Sequence, residues 1–254
     1  MLLITDLKDI PSVNQPSALT IGSFDGVHLG HQALLKHLRA KLPPNGLLTV
    51  LTFTNHPSHL FTPNTPTPLI HPPLQKVKHL FDCGVDNVIL IPFTKEFAQT
   101  PFDLFLIELK NALSFSHLAF GTGAVFGKNR EGNEANIRRL APELGLEVDY
   151  LPKYLLNGSP VSSGRIRTLI SQADFPAAKS CLGRPYSLMG RLTAGTMHFP
   201  GICLPPEGSY PIHLKTSHQT YPGTARISPK NSQIHIDLVD VKVPLAAQDA
   251  EVIF

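Results

Sequence analysis

Two histidines three residues apart, His28 and His31, stand in the string Gly22-Ser23-Phe24-Asp25-Gly26-Val27-His28-Leu29-Gly30-His31. The string follows a short apolar run at 18–21 and opens a segment of helical periodicity. Glycines at a strand-to-helix turn let backbone N–H groups approach phosphate oxygens, because no Cβ intervenes. The helix start adds unpaired N–H groups and a partial positive charge. The spacing puts both histidines on one face of the opening turn, and Gly30 between them leaves that face uncluttered. Paired imidazoles so placed donate hydrogen bonds to a triphosphate as charge moves onto a leaving pyrophosphate. A lone histidine here fits a surface or capping residue equally well. Its register with G-x-F-D-G points to a nucleotide.

A second constellation is Val161-Ser162-Ser163-Gly164-Arg165-Ile166-Arg167, ahead of another helical segment. Ser162 or Ser163 suits an N-cap. Arg165 and Arg167 add fixed positive charge near the same crevice. Taken alone, this string also fits an ordinary capped helix with solvated arginines.

The elements that must position these residues follow from periodicity. The apolar run at 18–21 predicts a buried strand, and 47–53, 88–92, 117–120 and 147–151 read as further strands. Helices are predicted over 30–41, 74–83, 101–113, 133–144, 163–171 and 175–182. Such alternation predicts a Rossmann-like, doubly wound α/β fold with a parallel sheet, binding ligands at the carboxyl ends of its strands. After about residue 184 the helical pattern stops. Short alternating stretches, 210–215 and 233–239 among them, predict a small all-β barrel-like unit. The expected domains are 1–184 and 185–254.

Composition narrows the class. The 254 residues are 42% hydrophobic and 16% charged with net charge +3, which fits a globular chain. The basic residues are scattered, so no nucleic-acid track is expected. No apolar stretch approaches the ~20 residues that span a bilayer, so no membrane partner is expected. Three widely separated cysteines, Cys83, Cys181 and Cys203, form no C-x-x-C pair and suit a reducing cytoplasm. The sequence carries no mark of oligomeric state.

The ten-residue string resembles the nucleotide motif of prokaryotic FAD synthetases. The shorter H-x-G-H also occurs in other adenylyltransferases and in class I aminoacyl-tRNA synthetases, but the K-M-S-K-S-type loop of the latter is absent. Further points agree in order. Thr52-Phe53-Thr54-Asn55-His56-Pro57 is similar to the family's T-F-x-P-H-P. Pro92–Ala98 resembles P-F-x-x-x-F-A, and Leu182–Arg191 its junction between domains. The resemblance implies that FMN and ATP, carried with Mg²⁺, become FAD and pyrophosphate. It assigns catalysis to His28, His31, Ser163 and Arg167. It assigns nucleotide binding to Gly22, Ser23, Phe24, Asp25, Gly26, Gly30, Ser162 and Arg165. Flavin contacts fall to His56, Pro57, Phe126, Lys128 and Arg130, although Lys128 and Arg130 fit a solvated loop equally well.

Departures from the pattern are specific. The family's G-x-(D/N)-F-x-F-G reads Gly121-Thr122-Gly123-Ala124-Val125-Phe126-Gly127, without the polar residue and with one phenylalanine fewer. Gly164 replaces a threonine. In the β unit, Phe199-Pro200-Gly201-Ile202-Cys203-Leu204 stands where the riboflavin kinase signature G-x-P-T-A-N is expected. Gly201 has no hydroxyl, and Cys203 has no amide oxygen for a hard cation. Gln233 or an apolar neighbour stands in for the glutamate base, and the chain ends before the family's terminal helix. The expectation is an FMN adenylyltransferase whose kinase activity is weak or lost. The alternatives are a fully bifunctional enzyme, adenylyl transfer to another phosphomonoester, and a non-catalytic flavin or nucleotide carrier.

Overall fold

The structure is a computed structural model that describes residues 1–11, 15–239 and 246–254. The first part alternates strand and helix: β1 (Leu2–Ile4), β2 (Ser17–Ile21), α1 (Leu29–Lys41), β3 (Leu47–Phe53), α2 (Ser58–Phe61), α3 (Pro73–Asp82), β4 (Asn87–Ile91), α4 (Lys95–Ala98), α5 (Phe102–Leu113), β5 (His117–Gly121), α6 (Glu134–Leu140) and β6 (Glu147–Leu151). A small hairpin, β7 (Leu155–Leu156) with β8 (Ser159–Pro160), leads to α7 (Ser163–Ser171) and α8 (Phe175–Leu182). The strands form one parallel sheet in the order β1-β4-β3-β2-β5-β6.

Both faces of the sheet are covered at its centre, so the inner strands β2, β3 and β4 are buried almost throughout and are mostly apolar. Side chains alternate between two cores. Leu19, Ile21, Leu51 and Ile89 pack on Phe105, Leu106 and Leu109 of α5. Ala18, Leu48, Val50 and Val88 pack on Leu34, Leu35 and Leu38 of α1 and on Val77 and Leu80 of α3. The helix predicted over 133–144 ends at Leu140, capped by Ala141. Pro142 follows and, lacking an N–H, cannot continue the helix's hydrogen-bond ladder. β1 was not foreseen. It is three residues long and half-exposed, so its pattern carries little information.

The second part is antiparallel: β9 (Ser187–Leu192), β10 (Thr196–His198), β11 (Gly208–Lys215), β12 (Thr220–Ser228), β13 (Gln233–Leu238) and β14 (Gln248–Ile253), in the order β10-β13-β12-β11-β14-β9. The two ends of that order, β9 and β10, are joined by a tight turn with a bridge between Thr193 and Thr196, which curls the sheet into a barrel-like shape. Its core continues into α7 and α8 through Ile166, Ile170, Cys181 and Leu182. No helix among the described residues is long and apolar enough to cross a membrane.

Candidate active site

The order in which strands are added reverses between β2 and β5, β3 and β4 lying to one side of β2 and β5 and β6 to the other, and such switch points are where doubly wound sheets bind ligands. Here the strands also part. β2 pairs with β5 only at Ala18↔His117 and Leu19↔Leu118, while its pairing with β3 continues to Ile21↔Leu51. A cleft of about 320 Å³ opens beyond the fork. Gly22, Ser23, Phe24, His28, Gly30 and His31 line one side; Phe120 to Ala124 and Pro152 to Tyr154 line the other.

The turn at 22–28 is wound tightly. Phe24 (φ 47°) and Val27 (φ 40°) sit in the left-handed region beside Gly26 (φ 83°). That conformation is a strained one for β-branched valine and persists only where the surroundings over-determine it. The surroundings here are side-chain donors. Thr52 Oγ1 (2.9 Å) and Lys76 Nζ (3.0 Å) donate to the Ser23 carbonyl. Ser163 Oγ donates to that of Asp25 at 2.8 Å. Arg184 donates to those of Gly26 (2.6 Å) and Val27 (3.0 Å), and Gln32 also reaches Val27 (2.9 Å). The carbonyls are drawn into the protein. The N–H groups of Ser23, Phe24, His28, Leu29 and Gly30 have no acceptor among the described residues. Such a run of free N–H donors at a helix start is an anion cradle.

His28 caps α1, its Nδ1 accepting the His31 N–H at 3.4 Å, so its remaining ring proton sits on Nε2. The two rings stack with centroids 3.7 Å apart and planes 15° apart. A Cβ at residue 30 would lie 3.1 Å from the His28 ring, so glycine there makes room for the pair. Burial lowers the His28 pKa to about 4, helped by the Arg184 charge. His31 retains some surface in the cleft, yet burial and then the charges of His28, Lys76 and Arg184 hold its pKa well below the ordinary value. Both imidazoles are therefore neutral at neutral pH, each carrying one ring N–H. The His31 Nδ1 has no partner among the described residues.

The second motif meets the first from behind. Arg167 pairs with Asp25 at 2.7 Å, Asp25 being 1% exposed, and the other carboxylate oxygen of Asp25 accepts the Ile70 N–H at 2.9 Å. Asp25 and Gly26 thus shape the turn from inside, outside the cleft lining. Ser162 caps α7 through the Arg165 N–H at 3.2 Å, and Arg165 reaches the carbonyls of Ser159 and Pro160 on β8.

Two cations escaped the sequence reading. Lys76 is 1% exposed on α3, and its Nζ spans the Ser23 and Phe53 carbonyls. Burial brings its pKa down to about 8 against the opposing pull of the Asp25 carboxylate. The signal was a lysine four residues before buried Leu80 on an amphipathic helix. Arg184 is drawn down to about 10 by burial and stays charged at neutral pH.

The expected flavin residues are not gathered in this cleft. His56 bonds to Ser58 at the start of α2, where Pro57 is the cap, and burial followed by the Arg167 charge lowers its pKa. Phe126 stacks on Phe120 at 5.7 Å, behind the cleft wall. Lys128 and Arg130 are exposed on a short 3₁₀ turn. No cluster of three or more His, Cys, Asp or Glu able to hold a metal occurs among the described residues.

Comparison with known proteins places the chain among others. A family model described as FAD synthetase matches residues 10–165. A bifunctional riboflavin kinase/FMN adenylyltransferase of Haemophilus influenzae is 36% identical over 208 residues, covering 79% of this chain and 67% of the relative. A protein of the same description from Escherichia coli K12 is 28% identical, covering all of this chain and 88% of the relative. An FAD synthetase of Listeria monocytogenes is 29% identical, with 89% of each chain covered. A solved structure from Streptococcus pneumoniae, described as a macrolide-efflux protein, superposes with TM-score 0.84 at 22% identity over 100% of this chain and 89% of that one, a likeness of fold. The family match spans more than half of the residues and includes the whole 22–31 turn, and on that footing the chain belongs to the FAD synthetase family.

Proposed function

We propose that the cleft between β2 and β5 holds ATP with its triphosphate on the 22–31 turn, and that His28 and His31 stabilise the pyrophosphate as it leaves. The chain is an FMN adenylyltransferase making FAD and pyrophosphate from FMN and ATP. An FMN phosphate oxygen attacks the α-phosphorus in line, the bond to the bridging oxygen of the β-phosphate breaks, and pyrophosphate departs. The attacking oxygen is already anionic, so positioning and charge stabilisation do the work. The observation that carries this reading is the turn itself: carbonyls tied down by six side-chain contacts, with free N–H groups beside two neutral imidazoles.

Lys76, Arg167 and Arg184 gather under the turn around the Asp25 carboxylate, and their charge suits a polyanion. Asp25 is already spoken for by Arg167 and Ile70, and no cluster of metal-ligating side chains occurs among the described residues. Mg²⁺ accordingly enters with ATP as part of the substrate, held by phosphate oxygens and water. The free thiols Cys83, Cys181 and Cys203 support a cytoplasmic setting.

Residues 1–184 form the transferring unit in this reading, and 185–254 a kinase-like unit with weak or no activity. Gly201 and Cys203 bring no hydroxyl or amide oxygen to the loop that would hold the nucleotide. Incubating the protein with Mg-ATP and FMN, and following pyrophosphate and the drop in flavin fluorescence, tests the transfer. Riboflavin in place of FMN tests the kinase. No pyrophosphate in the first assay would overturn the transfer reading, and FMN formed at a matching rate in the second would overturn the dead-kinase reading.

A further inference from the structure

The loop Pro200–Cys203 of the antiparallel unit joins the parallel unit by backbone pairing. Leu69 N–H donates to the Gly201 carbonyl at 2.8 Å, and Cys203 N–H donates to the Leu69 carbonyl at 2.7 Å, closing a parallel bridge between Leu69 and Ile202. The residues flanking Leu69 reach the nucleotide turn. The Pro68 carbonyl accepts from Arg167 Nε at 2.8 Å, and Ile70 N–H donates to Asp25 at 2.9 Å. A Cβ on Gly26 would lie 2.9 Å from Ile70 Cδ1, so Ile70 is packed hard against the turn. Tyr186, fully buried, fixes the loop from its other side by donating to the Cys203 carbonyl at 2.6 Å.

A second tie runs parallel to the first. Gln75 on α3 donates to the Ser187 carbonyl (3.0 Å) and accepts the Met189 N–H (2.8 Å) on β9. Its neighbour Lys76 holds the Ser23 carbonyl. Both ties start on the barrel and end on the 22–28 turn.

We infer that the antiparallel unit works as a brace for adenylyl transfer: its 200–203 loop, through the strap 68–70, positions the Asp25–Arg167 pair and with it the triphosphate turn. The inference rests on the proposed nucleotide site. It gives the loop that stands in the kinase-signature position a task, in which Leu69, Gly201 and Cys203 are positioning residues. A strained turn needs such over-determination, and the 200–203 loop supplies part of it through the strap, Ile202 lying 133 residues after its bridge partner Leu69.

The test uses the full chain in steady-state FAD synthesis. Gly201→Val forces a β-branched residue into φ 70° and displaces the carbonyl that accepts from Leu69. Gly195→Val imposes the same strain (φ 75°) in the β9–β10 turn, away from the strap. The expected result is a higher KM for Mg-ATP with Gly201→Val and a fall in kcat/KM on the order of 10- to 100-fold. Gly195→Val should lower Tm comparably while keeping the KM of the unaltered protein. Tyr186→Phe, which removes one hydroxyl, should raise the same KM by a smaller factor. Unaltered KM and kcat in Gly201→Val would overturn the brace. If that variant does not fold, an unaltered KM in Tyr186→Phe would overturn it. Absence of FAD synthesis by the unaltered protein would instead remove the underlying assignment.

Discussion

The His28 and His31 rings stack at 3.7 Å, and the same His28 whose Nδ1 caps the helix keeps its Nε2 proton for donation. Capping and the proposed donation to pyrophosphate are thus separable at one residue. Asparagine is a preferred N-cap, whereas alanine is not. His28→Asn should retain the melting temperature and lose FAD synthesis. His28→Ala should lose both, with about 0.5–2 kcal/mol of stability gone with the cap. Thermal melts and initial rates on the two variants check this.

The Asp25–Arg167 pair is the covalently distant link between the two motifs, and Asp25 is buried. Asp25→Asn leaves the guanidinium without its counter-charge and should destabilise by about 3–5 kcal/mol. The double variant Asp25→Asn/Arg167→Met should be less destabilised than the sum of the single changes, because no uncompensated charge remains. Urea unfolding measures all three. FAD synthesis should be lost in each.

Acid should weaken the fold through its buried histidines. His28 and His79 are held to about 4, and His31 and His71 well below the ordinary value, in each case chiefly by burial. These groups protonate at about 6.5 in the unfolded chain. Below that pH the unfolded state binds more protons, so stability present at pH 7 is lost as pH falls from 6.5 toward 4. The slope approaches about 1.4 kcal/mol per pH unit for each histidine. His71, with neither ring nitrogen bonded among the described residues, is the simplest to remove. His71→Leu should flatten the urea midpoint against pH, being more stable than the unaltered protein at pH 5.

Lys76 supplies charge beneath the turn only while protonated, and its pKa is lowered to about 8. FAD synthesis should therefore fall as pH rises through 8. Lys76→Met should lower kcat/KM at pH 7 by about tenfold, the value of one charged donor at 1.4 kcal/mol, and abolish that alkaline limb. Rates across pH 6.5 to 9.5 check both.

The α/β alternation was legible because a strand buried on both faces, such as β4, carries an unbroken apolar run, Val88 to Ile91, and because α1 repeats leucine at helical spacing. Gly22 to His31 was legible for a different reason: glycine, histidine and register together admit few other uses. Lys76 and Arg184 were not, since their roles depend on carbonyls distant in sequence, and a single basic residue on a helix ordinarily faces water. The expected flavin contacts rested on resemblance. His56 and Phe126 follow different strands, β3 and β5, which lie on opposite sides of β2, so no local pattern shows whether they meet.

The most direct measurement is kcat for FAD formation by His31→Ala at saturating Mg-ATP and FMN. Removing one oriented donor from a stabilised anion lowers the rate by roughly 10²–10³-fold. A drop of that size, in protein that still melts cooperatively, is the predicted result. An unreduced kcat would mean that the paired imidazoles take no part in the transfer.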